Sequence, residues 1–265
     1  MAQPRVLILR APGANCDAET EFAFERAGGL PQRLHVNRLL EAPRQLADYQ
    51  ILCIPGGFSY GDDIAAGRIL GNQLRHHLAD RVQEFKAAGK LILGICNGFQ
   101  ILIRSGVLLP LADDGTAPAT LAWNASGKFE DRWVPLSVAA KTSVFFAGIE
   151  TMYLPIAHAE GRFVPRDEPM LRSLEAAGQI VLRYGAPSAA SQPLQMAAGV
   201  PYPDNPNGSL ADVAGVCDPT GRVCGLMPHP ERHIDPTQHP RWTRGPLPAA
   251  GDGLRVFQNA VAYFQ

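Results

Sequence analysis

The chain lacks an excess of charge of either sign. Its 265 residues include 24 Lys and Arg against 25 Asp and Glu, which gives a formal net charge of -1 at pH 7. Proteins that bind polyanions concentrate positive charge, so this balance argues against a nucleic-acid-binding protein. Hydrophobic residues make up 46% of the sequence and charged residues 18%, values that are typical of a folded globular protein.

Long apolar runs are also missing. The best ones, Ile51–Ile54 and Leu91–Ile95, are far shorter than the ~20 residues that a membrane span requires. Near the N-terminus, Val6–Leu9 is too short for the apolar region of a secretory signal. We therefore expect a protein that does not cross a membrane and that resides in the cytoplasm.

Cysteine is scarce and irregularly placed. An odd number of scattered cysteines suits reduced thiols better than a disulfide framework. Cys217 and Cys224 have no second pair with which to complete a zinc site. The cysteines are Cys16, Cys53, Cys96, Cys217 and Cys224.

The first hundred residues alternate short aliphatic runs with helical patterns, as βαβ units of a parallel sheet do. This alternation predicts an α/β fold with helices that cover the sheet. The predicted strands lie near Val6–Leu9, Arg33–Val36, Gln50–Ile54 and Leu91–Ile95.

Two helices are predicted between these strands. Asp17 is placed to cap the first, which runs to the Gly28–Gly29 stop. The second ends at Gly89 and carries an apolar stripe. The stripe consists of Leu74, Leu78, Val82 and Phe85.

The second half of the chain has a different pattern. Short strands between turns predict an antiparallel section over residues 110–166, and the Pro- and Asn-rich segment Tyr202–Gly208 predicts a loop. No repeat or flexible linker divides the chain, so we interpret residues 1–265 as a single domain. The other predicted elements are a helix near Glu168–Ala177, strands at Gln179–Tyr184, Asp212–Val216 and Val223–Met227, and a closing helix from Leu254 to Phe264.

The strongest local motif surrounds Cys96. A buried-strand pattern runs into Gly94-x-Cys96-x-Gly98 and then into a helical pattern. This is the cysteine form of a nucleophile elbow, in which small residues flank a nucleophile on a sharp, strained turn. At the start of the following helix, the helix dipole and the free N–H groups favour a nucleophilic thiolate.

A base for this nucleophile is available in the segment Met227–Arg232, which reads MPHPER after a predicted strand. Pro230 favours an extended conformation for His229. In an extended segment, Glu231 points to the same side as His229 and can orient one nitrogen of the imidazole. The spacing therefore predicts a Cys-His-Glu triad.

A glycine-rich loop, Ile54–Asp62, directly follows the third predicted strand. Loops at the carboxyl ends of parallel strands gather at one edge of the sheet, which brings this loop beside the elbow. The backbone N–H groups of Gly57 and Asn97 are then candidates for an oxyanion hole.

Each motif has a simpler interpretation when it is taken alone. Cys96 alone could be a buried structural cysteine, and His229 alone a structural histidine. The motifs are specific as a set, because they occur in a consistent order: a Gly-Gly loop, then an elbow after a strand, then His-Pro-Glu after a late strand. A rival metal site would use His229, His233 and His239, but Pro230 and Pro236 prevent the helical spacing that would bring two of them to one ion.

The elbow GICNGFQ (Gly94–Gln100) together with MPHPER resembles the class I, or triad, glutamine amidotransferases. Three further segments narrow the resemblance to the glutaminase subunits of phosphoribosylformylglycinamidine synthases. The resemblance covers essentially the whole chain and implies a flavodoxin-like, mostly parallel open sheet with helices on both faces and a small antiparallel section. The three segments are IPGGFSYGDD (Ile54–Asp63), PIAHAEGRF (Pro155–Phe163) and NPNGS (Asn205–Ser209).

The resemblance implies that Cys96 attacks glutamine, that His229 is the general acid and base, and that Glu231 orients His229. The products are glutamate and ammonia. It further implies that ammonia passes to a large synthetase subunit, which uses ATP and magnesium on formylglycinamide ribonucleotide, with a small third subunit as a further possible partner. This chain has no P-loop motif, which is consistent with a nucleotide that is bound by the partner. We expect no cofactor or metal in this chain.

For the substrate pocket, the resemblance implies that Gly57 and Asn97 supply oxyanion donors and that Gln100 holds the amino-acid end of glutamine. The sequence departs from the family pattern at Asp63 and Ala65, where the family usually has an aromatic or aliphatic residue and an arginine. The departure leaves the triad motifs intact.

Other functions remain open on the sequence alone. They include a class I amidotransferase with a different acceptor, a cysteine peptidase-like hydrolase, a non-catalytic scaffold of the same fold and a redox sensor that acts through Cys96. The role of His158 is undecided between pocket, partner surface and structural turn. Trp242 and Arg244 form a candidate docking surface, since Trp and Arg are common interface anchors.

Overall fold

The computed structural model describes residues 3–62, 64–186 and 196–265. The strands are β1 (Arg5–Arg10), β2 (Leu30–His35), β3 (Ile51–Ile54), β4 (Leu91–Ile95), β5 (Ala119–Ala122), β6 (Glu130–Val138), β7 (Thr151–His158), β8 (Arg162–Pro165), β9 (Ile180–Tyr184), β10 (Val213–Cys217) and β11 (Val223–Leu226). The α-helices are α1 (Asp17–Arg26), α2 (Val36–Glu41), α3 (Arg68–His77), α4 (Ala79–Ala87), α5 (Asn97–Arg104), α6 (Glu168–Ala176) and α7 (Leu254–Ala262). Within these ranges, no helix has both the length and the apolar character to span a membrane.

One mixed sheet organises the molecule. Its strand order over the described residues is β2-β1-β3-β4-β11-β10-β9-β6-β7. The first five strands in this order, β2, β1, β3, β4 and β11, run parallel to one another. Each of the remaining four, β10, β9, β6 and β7, pairs antiparallel with the strand before it in the order. β5 and β8 form a separate antiparallel pair. The predicted α/β class with a parallel sheet and a small antiparallel section is confirmed, and antiparallel strands also extend the main sheet.

Helices cover both faces of the parallel part. Successive side chains of a strand point to opposite faces, and every residue of Val6–Leu9 is at most 1% exposed. α1 contacts α7, where Phe24 and Phe257 meet edge to face with ring centroids 4.9 Å apart. α3 contacts α5, the helix that follows the predicted elbow.

Two helix predictions were wrong in detail. The predicted apolar stripe lies on two helices, because the chain leaves helical geometry at Leu78, with φ −123° and ψ 3°. All four stripe residues are nevertheless buried. Asp17 does not cap α1, since Cys16 holds the N-cap position; the Asp17 carboxylate instead forms an ion pair with Arg10 at 2.7 Å.

The second strand begins earlier than predicted. β2 pairs with β1 from Leu30 to His35, and this pairing fixes its register at the sheet edge. The side chain of His35 then accepts a hydrogen bond from the backbone N–H of Asn37, so Val36 starts α2 and does not end the strand. The β-branched side chain of Val36 favours a strand, so the sequence pattern did not show that His35 is the N-cap of α2.

The strand order places the three candidate motifs together. β4 lies between β3 and β11, and these three strands are parallel. The glycine-rich loop follows β3, Cys96 follows β4, and His229 follows β11 by three residues. The carboxyl ends of parallel strands meet at one edge, which is where open α/β sheets place their sites.

Candidate active site

Cys96 occupies the sharp turn between β4 and α5. Its backbone has φ 52° and ψ −105°, a conformation that a residue with a side chain adopts only when its surroundings enforce it. A Cβ on Gly94 would lie 2.6 Å from the carbonyl oxygen of Gly98, and one on Gly98 would lie 1.9 Å from that of Ile54. The flanking positions therefore require glycine, as the elbow motif predicts.

The Cys96 side chain is buried at the wall of a cavity of about 250 Å³. Its Sγ lies 3.8 Å from the carbonyl oxygen of Ala157, near the end of β7. The cavity is lined by Gly57, Phe58, Gly61, Asp62, Ala66, Cys96, Gln100, Trp123, Ala157, His158, Ala159 and Glu160. The thiol therefore faces a space lined by both backbone and polar side chains.

His229 and Glu231 form a buried pair. The distance from His229 Nδ1 to Glu231 Oε1 is 2.6 Å, and both residues are 1% exposed. His229 has φ −106° and ψ 88°, which lies outside the helical region and short of the extended region that was predicted. The prediction of an extended segment through Glu231 was wrong, because Pro230–Arg232 form a short 3-10 helix. This turn nevertheless brings the Glu231 carboxylate within hydrogen-bond distance of the His229 imidazole.

The electrostatics of this pair favour the protonated imidazole. Burial by itself lowers the pKa of His229, but the charges of Glu231 and Cys96 outweigh burial and place that pKa well above the ordinary histidine value. His229 Nε2 is buried and has no hydrogen-bond partner among the described residues. A proton on Nε2 is therefore available to a group bound beside Cys96.

The two glycines of the loop after β3 create the space for this arrangement. A Cβ on Gly56 would lie 2.7 Å from Cε1 of His229. Gly57 has φ +134°, and its Cβ would lie 2.6 Å from the backbone nitrogen of Asn15. Any other residue at position 56 would push the histidine away from the elbow.

Asn97 connects this loop to the helix of the nucleophile. Its Oδ1 accepts a hydrogen bond from the backbone N–H of Ser59 at 3.2 Å, and its Nδ2 donates to Asp62 Oδ1, also at 3.2 Å. As the first residue of α5, Asn97 has a backbone N–H without a partner in a preceding helical turn. Asp63, the first departure from the family pattern, lies outside the described residues.

Gln100 lies on the same helix and faces the cavity. Its Oε1 accepts from Asn97 Nδ2 at 2.8 Å, and its Nε2 donates to the carbonyl oxygen of Glu160 at 2.6 Å. The side chain therefore joins α5 to the turn after β7. In this structure it fixes the position of Glu160, a second lining residue of the cavity.

The structure also brings Cys16 to the site, to which the sequence assigned no role. Its Sγ lies 3.9 Å from His229 Nδ1 and accepts a hydrogen bond from Arg232 Nη2 at 3.2 Å. Burial raises the pKa of the Cys16 thiol. No local sequence signal could have placed Cys16 here, because the contact joins positions that lie far apart in the chain.

A metal site is not favoured by this cluster. Donor atoms of Cys16, His229 and Glu231 lie within 4.8 Å of one another, but the guanidinium group of Arg232 already contacts the thiol and opposes a further cation. The other histidines of the rival metal hypothesis pack elsewhere: the rings of His233 and His239 lie 4.9 and 4.7 Å from that of Trp133.

A buried polar network supports the turn after β7. Asn207 Nδ2 donates to the carbonyl oxygen of Gly161 at 2.9 Å, and the Ser209 hydroxyl accepts from the backbone N–H of Phe163 at 3.0 Å. The predicted loop over residues 202–208 is thus a brace for the segment that carries His158 and Glu160. The two motifs, which are distant in sequence, therefore contact each other directly in the fold.

The model of the CobB/CobQ-like glutamine amidotransferase domain matches residues 3–264. A protein of Dehalococcoides mccartyi called phosphoribosylformylglycinamidine synthase subunit PurQ is 44% identical over 264 residues, which cover 99% of this chain and 98% of the relative. The chain belongs to the PurQ family of glutamine amidotransferases. A Methanococcus maripaludis PurQ is 40% identical, with 98% of this chain and 97% of the relative covered.

Solved structures agree with this membership of the PurQ family. A chain of the PurLQS structure from Thermotoga maritima superposes with a TM-score of 0.72 at 33% identity, and 100% of both chains is covered. A glutamine amidotransferase from the same organism, at 15% identity and a TM-score of 0.51, shares the fold. The resemblance that the motifs indicated is confirmed.

Proposed function

We propose that this chain is the glutaminase subunit of a phosphoribosylformylglycinamidine synthase. The observation that carries the proposal is the meeting of the strained Cys96 elbow with the buried His229–Glu231 pair at one edge of the sheet. Members of the PurQ family provide the reaction class. The chain then hydrolyses L-glutamine to glutamate and ammonia in the purine biosynthesis pathway.

The geometry supports a thioester mechanism. Cys96 Sγ attacks the carboxamide carbon of glutamine, and the backbone N–H groups of Gly57 and Asn97 bind the oxyanion that develops. His229, held by Glu231, transfers its proton to the nitrogen as the C–N bond breaks. Ammonia leaves, and His229 then accepts a proton from the water that hydrolyses the γ-glutamyl thioester.

We assign the amino-acid end of glutamine to the part of the cavity next to Gln100. Asp62 and Glu160 also line this part and provide acidic groups near the place where the α-ammonium group would lie. Gln100 donates a hydrogen bond to the backbone carbonyl oxygen of Glu160, and this bond fixes the position of one wall of the pocket. Its contribution to binding is therefore through the position of this wall as well as through direct contact.

The partner in this proposal is the large synthetase subunit of the same enzyme. The relatives are named as subunits of the synthase, which supports a partner that receives ammonia. That partner uses ATP and magnesium to convert formylglycinamide ribonucleotide to formylglycinamidine ribonucleotide, and a small third subunit completes the assembly. We place the reaction in the cytoplasm and expect this chain to bind no nucleotide or metal of its own.

Covalent labelling tests the proposal. The purified chain, and the chain together with its synthetase subunit, would be treated with a diazo-ketone analogue of glutamine and examined by intact-mass spectrometry. We expect one adduct on the wild-type chain, no adduct on the Cys96→Ala variant, and protection by excess glutamine. Loss of glutamine-dependent synthesis of formylglycinamidine ribonucleotide in Cys96→Ala, with activity retained on added ammonia, would identify the acceptor.

Two outcomes of the labelling experiment would contradict the proposal. No adduct in the presence of the partner and its substrates would contradict a glutaminase and favour a scaffold or a redox function of the thiol. Normal labelling without transfer to formylglycinamide ribonucleotide would indicate a class I amidotransferase with a different acceptor.

A further inference from the structure

A second histidine, His158, lines the cavity beside Cys96. It is the last residue of β7, one position after the carbonyl group that lies 3.8 Å from Cys96 Sγ. The side chain is 97% buried, and its Nε2 has no hydrogen-bond partner among the described residues. A buried polar atom without a partner is costly, so this nitrogen is suited to accept a hydrogen bond from a group bound beside it.

The protein fixes the tautomer of His158. Asn124 donates from Nδ2 to the carbonyl oxygens of Lys128 and His158, both at 2.8 Å. Its Oδ1 is therefore the atom that faces His158 Nδ1 at 3.1 Å, and it accepts the hydrogen on that nitrogen. The lone pair of the imidazole is consequently on Nε2, which can accept a hydrogen bond and not donate one.

The ring is also held in place. A Cβ on Gly161 would lie between 2.2 and 2.6 Å from three atoms of the imidazole, so only glycine leaves room for it. Asn207 holds Gly161 in place through a hydrogen bond from its Nδ2 to the carbonyl oxygen of Gly161. The ring is thus enclosed by the Asn124 contact, by the turn after β7 and by the loop that braces this turn.

We propose that His158 Nε2 accepts a hydrogen bond from the nitrogen that leaves glutamine, and so orients the carboxamide for attack and receives ammonia when it departs. This assignment rests on the proposed glutaminase function. Before attack, one N–H of the carboxamide donates to Nε2. During collapse of the tetrahedral intermediate, the C–N bond breaks, the thioester remains on Cys96, and the nitrogen takes its third hydrogen from His229.

The chemistry of His158 suits a receiver of neutral ammonia. Burial, and then the charge of His229, lower the pKa of His158 to about 3, so the ring stays uncharged at neutral pH. A neutral acceptor cannot protonate ammonia, which must remain unprotonated to react further as a nucleophile. His229, whose pKa is shifted in the opposite direction, supplies the proton of the leaving step.

Two substrates that form the same thioester test this role. Glutamine leaves ammonia, whereas the γ-methyl ester of glutamate has a leaving oxygen that carries no hydrogen. Both would be assayed with the chain bound to its synthetase subunit. We expect His158→Phe to lower kcat/KM for glutamine roughly tenfold, which is the value of one hydrogen bond to a reacting group. The kcat/KM for the ester should change less than about twofold, because its leaving oxygen has no hydrogen to donate.

The conservative variant and a second apolar variant sharpen the result. His158→Gln keeps an acceptor oxygen and should recover part of the glutamine activity, and His158→Leu should behave as His158→Phe. Labelling of Cys96 by the diazo-ketone shows which variants keep an assembled triad. Equal loss on both substrates, or no loss on glutamine, would overturn the proposal. A wild-type enzyme that hydrolyses neither substrate would contradict the glutaminase function itself.

Discussion

Gly98 illustrates at the scale of one residue how steric limits determine a site. Alanine in its place would normally favour α5 by about 1 kcal/mol, because alanine is the better helix former. The added Cβ would meet the carbonyl oxygen of Ile54 at 1.9 Å, and no side-chain rotation can relieve a contact with the backbone. The steric term therefore dominates the substitution.

We predict that Gly98→Ala lowers the free energy of unfolding by about 3 kcal/mol and abolishes labelling of Cys96, because the elbow must move away from β3. Gly245→Ala is the matched control, since Gly245 is exposed and a Cβ there meets nothing within 4 Å. Urea denaturation of both variants measures the difference. Equal stability of the two would show that β3 moves freely away from α5.

At the same scale, the two histidines of the site have opposite environments. His229 lies against a carboxylate and beside the nucleophile, which favours its charged form. His158 lies against a neutral amide, and burial, followed by the charge of His229, lowers its pKa and leaves it uncharged. The residue type alone does not separate a proton donor from a neutral acceptor; the balance between burial and the charges beside each ring does.

At the scale of elements, the loop over residues 205–209 is important because of the turn that it braces. Asn207 is fully buried; its Nδ2 donates to the carbonyl oxygen of Gly161 and to the hydroxyl of Tyr184, and its Oδ1 accepts from the backbone N–H of Ser209. Asn205 Nδ2 adds a bond to Asp212 Oδ1 at 2.7 Å. The loop is therefore part of the site although none of its residues lines the cavity.

We predict that Asn207→Ala lowers the free energy of unfolding by about 2 kcal/mol, since it removes hydrogen bonds from buried groups. Glutaminase activity should also fall at temperatures where the variant remains folded, because the turn with His158 loses its brace. Asn37→Ala, at an exposed position of α2, should change stability by less than about 0.5 kcal/mol. Unchanged activity in a folded Asn207→Ala variant would contradict the brace.

At the scale of the whole molecule, exposed aromatic and basic side chains offer two candidate surfaces for contact with the synthetase. Trp242 is 47% exposed in a short 3-10 helix, and Arg244 in the same helix is exposed as well. Trp123 is a second exposed tryptophan, at the wall of the cavity. Exposed tryptophan and arginine are the residues that most often anchor interfaces.

We predict that the double variant Trp242→Ala and Arg244→Ala weakens association with the synthetase at least tenfold and leaves diazo-ketone labelling of Cys96 unchanged. Both side chains are exposed, so the isolated chain should keep its stability. Co-purification and titration of the two subunits measure the effect. If this variant associates normally and Trp123→Ala does not, the partner docks at the mouth of the cavity instead.

Sequence patterning accounts for much of the molecule at this scale. Predicted strands coincide with β1, β3, β4, β9, β10 and β11 within one or two residues, because each is a short apolar run between clear turn signals. The interpretation of residues 1–265 as a single domain stays a prediction, as do the catalytic roles. The antiparallel addition of β6, β7, β9 and β10 to the main sheet was not predicted, since pairing partners distant in sequence leave no local mark.

The sequence by itself determined the elbow, the order of the motifs and the family. The glycine at 94 is a local steric necessity, because its Cβ would meet the backbone of Gly98, and Pro230 constrains the backbone of the adjacent His229. Only the tertiary structure decided which groups face these residues. It placed Cys16 at His229 and Asn124 at His158, because contacts between distant segments depend on how the sheet assembles and not on the residues beside each group.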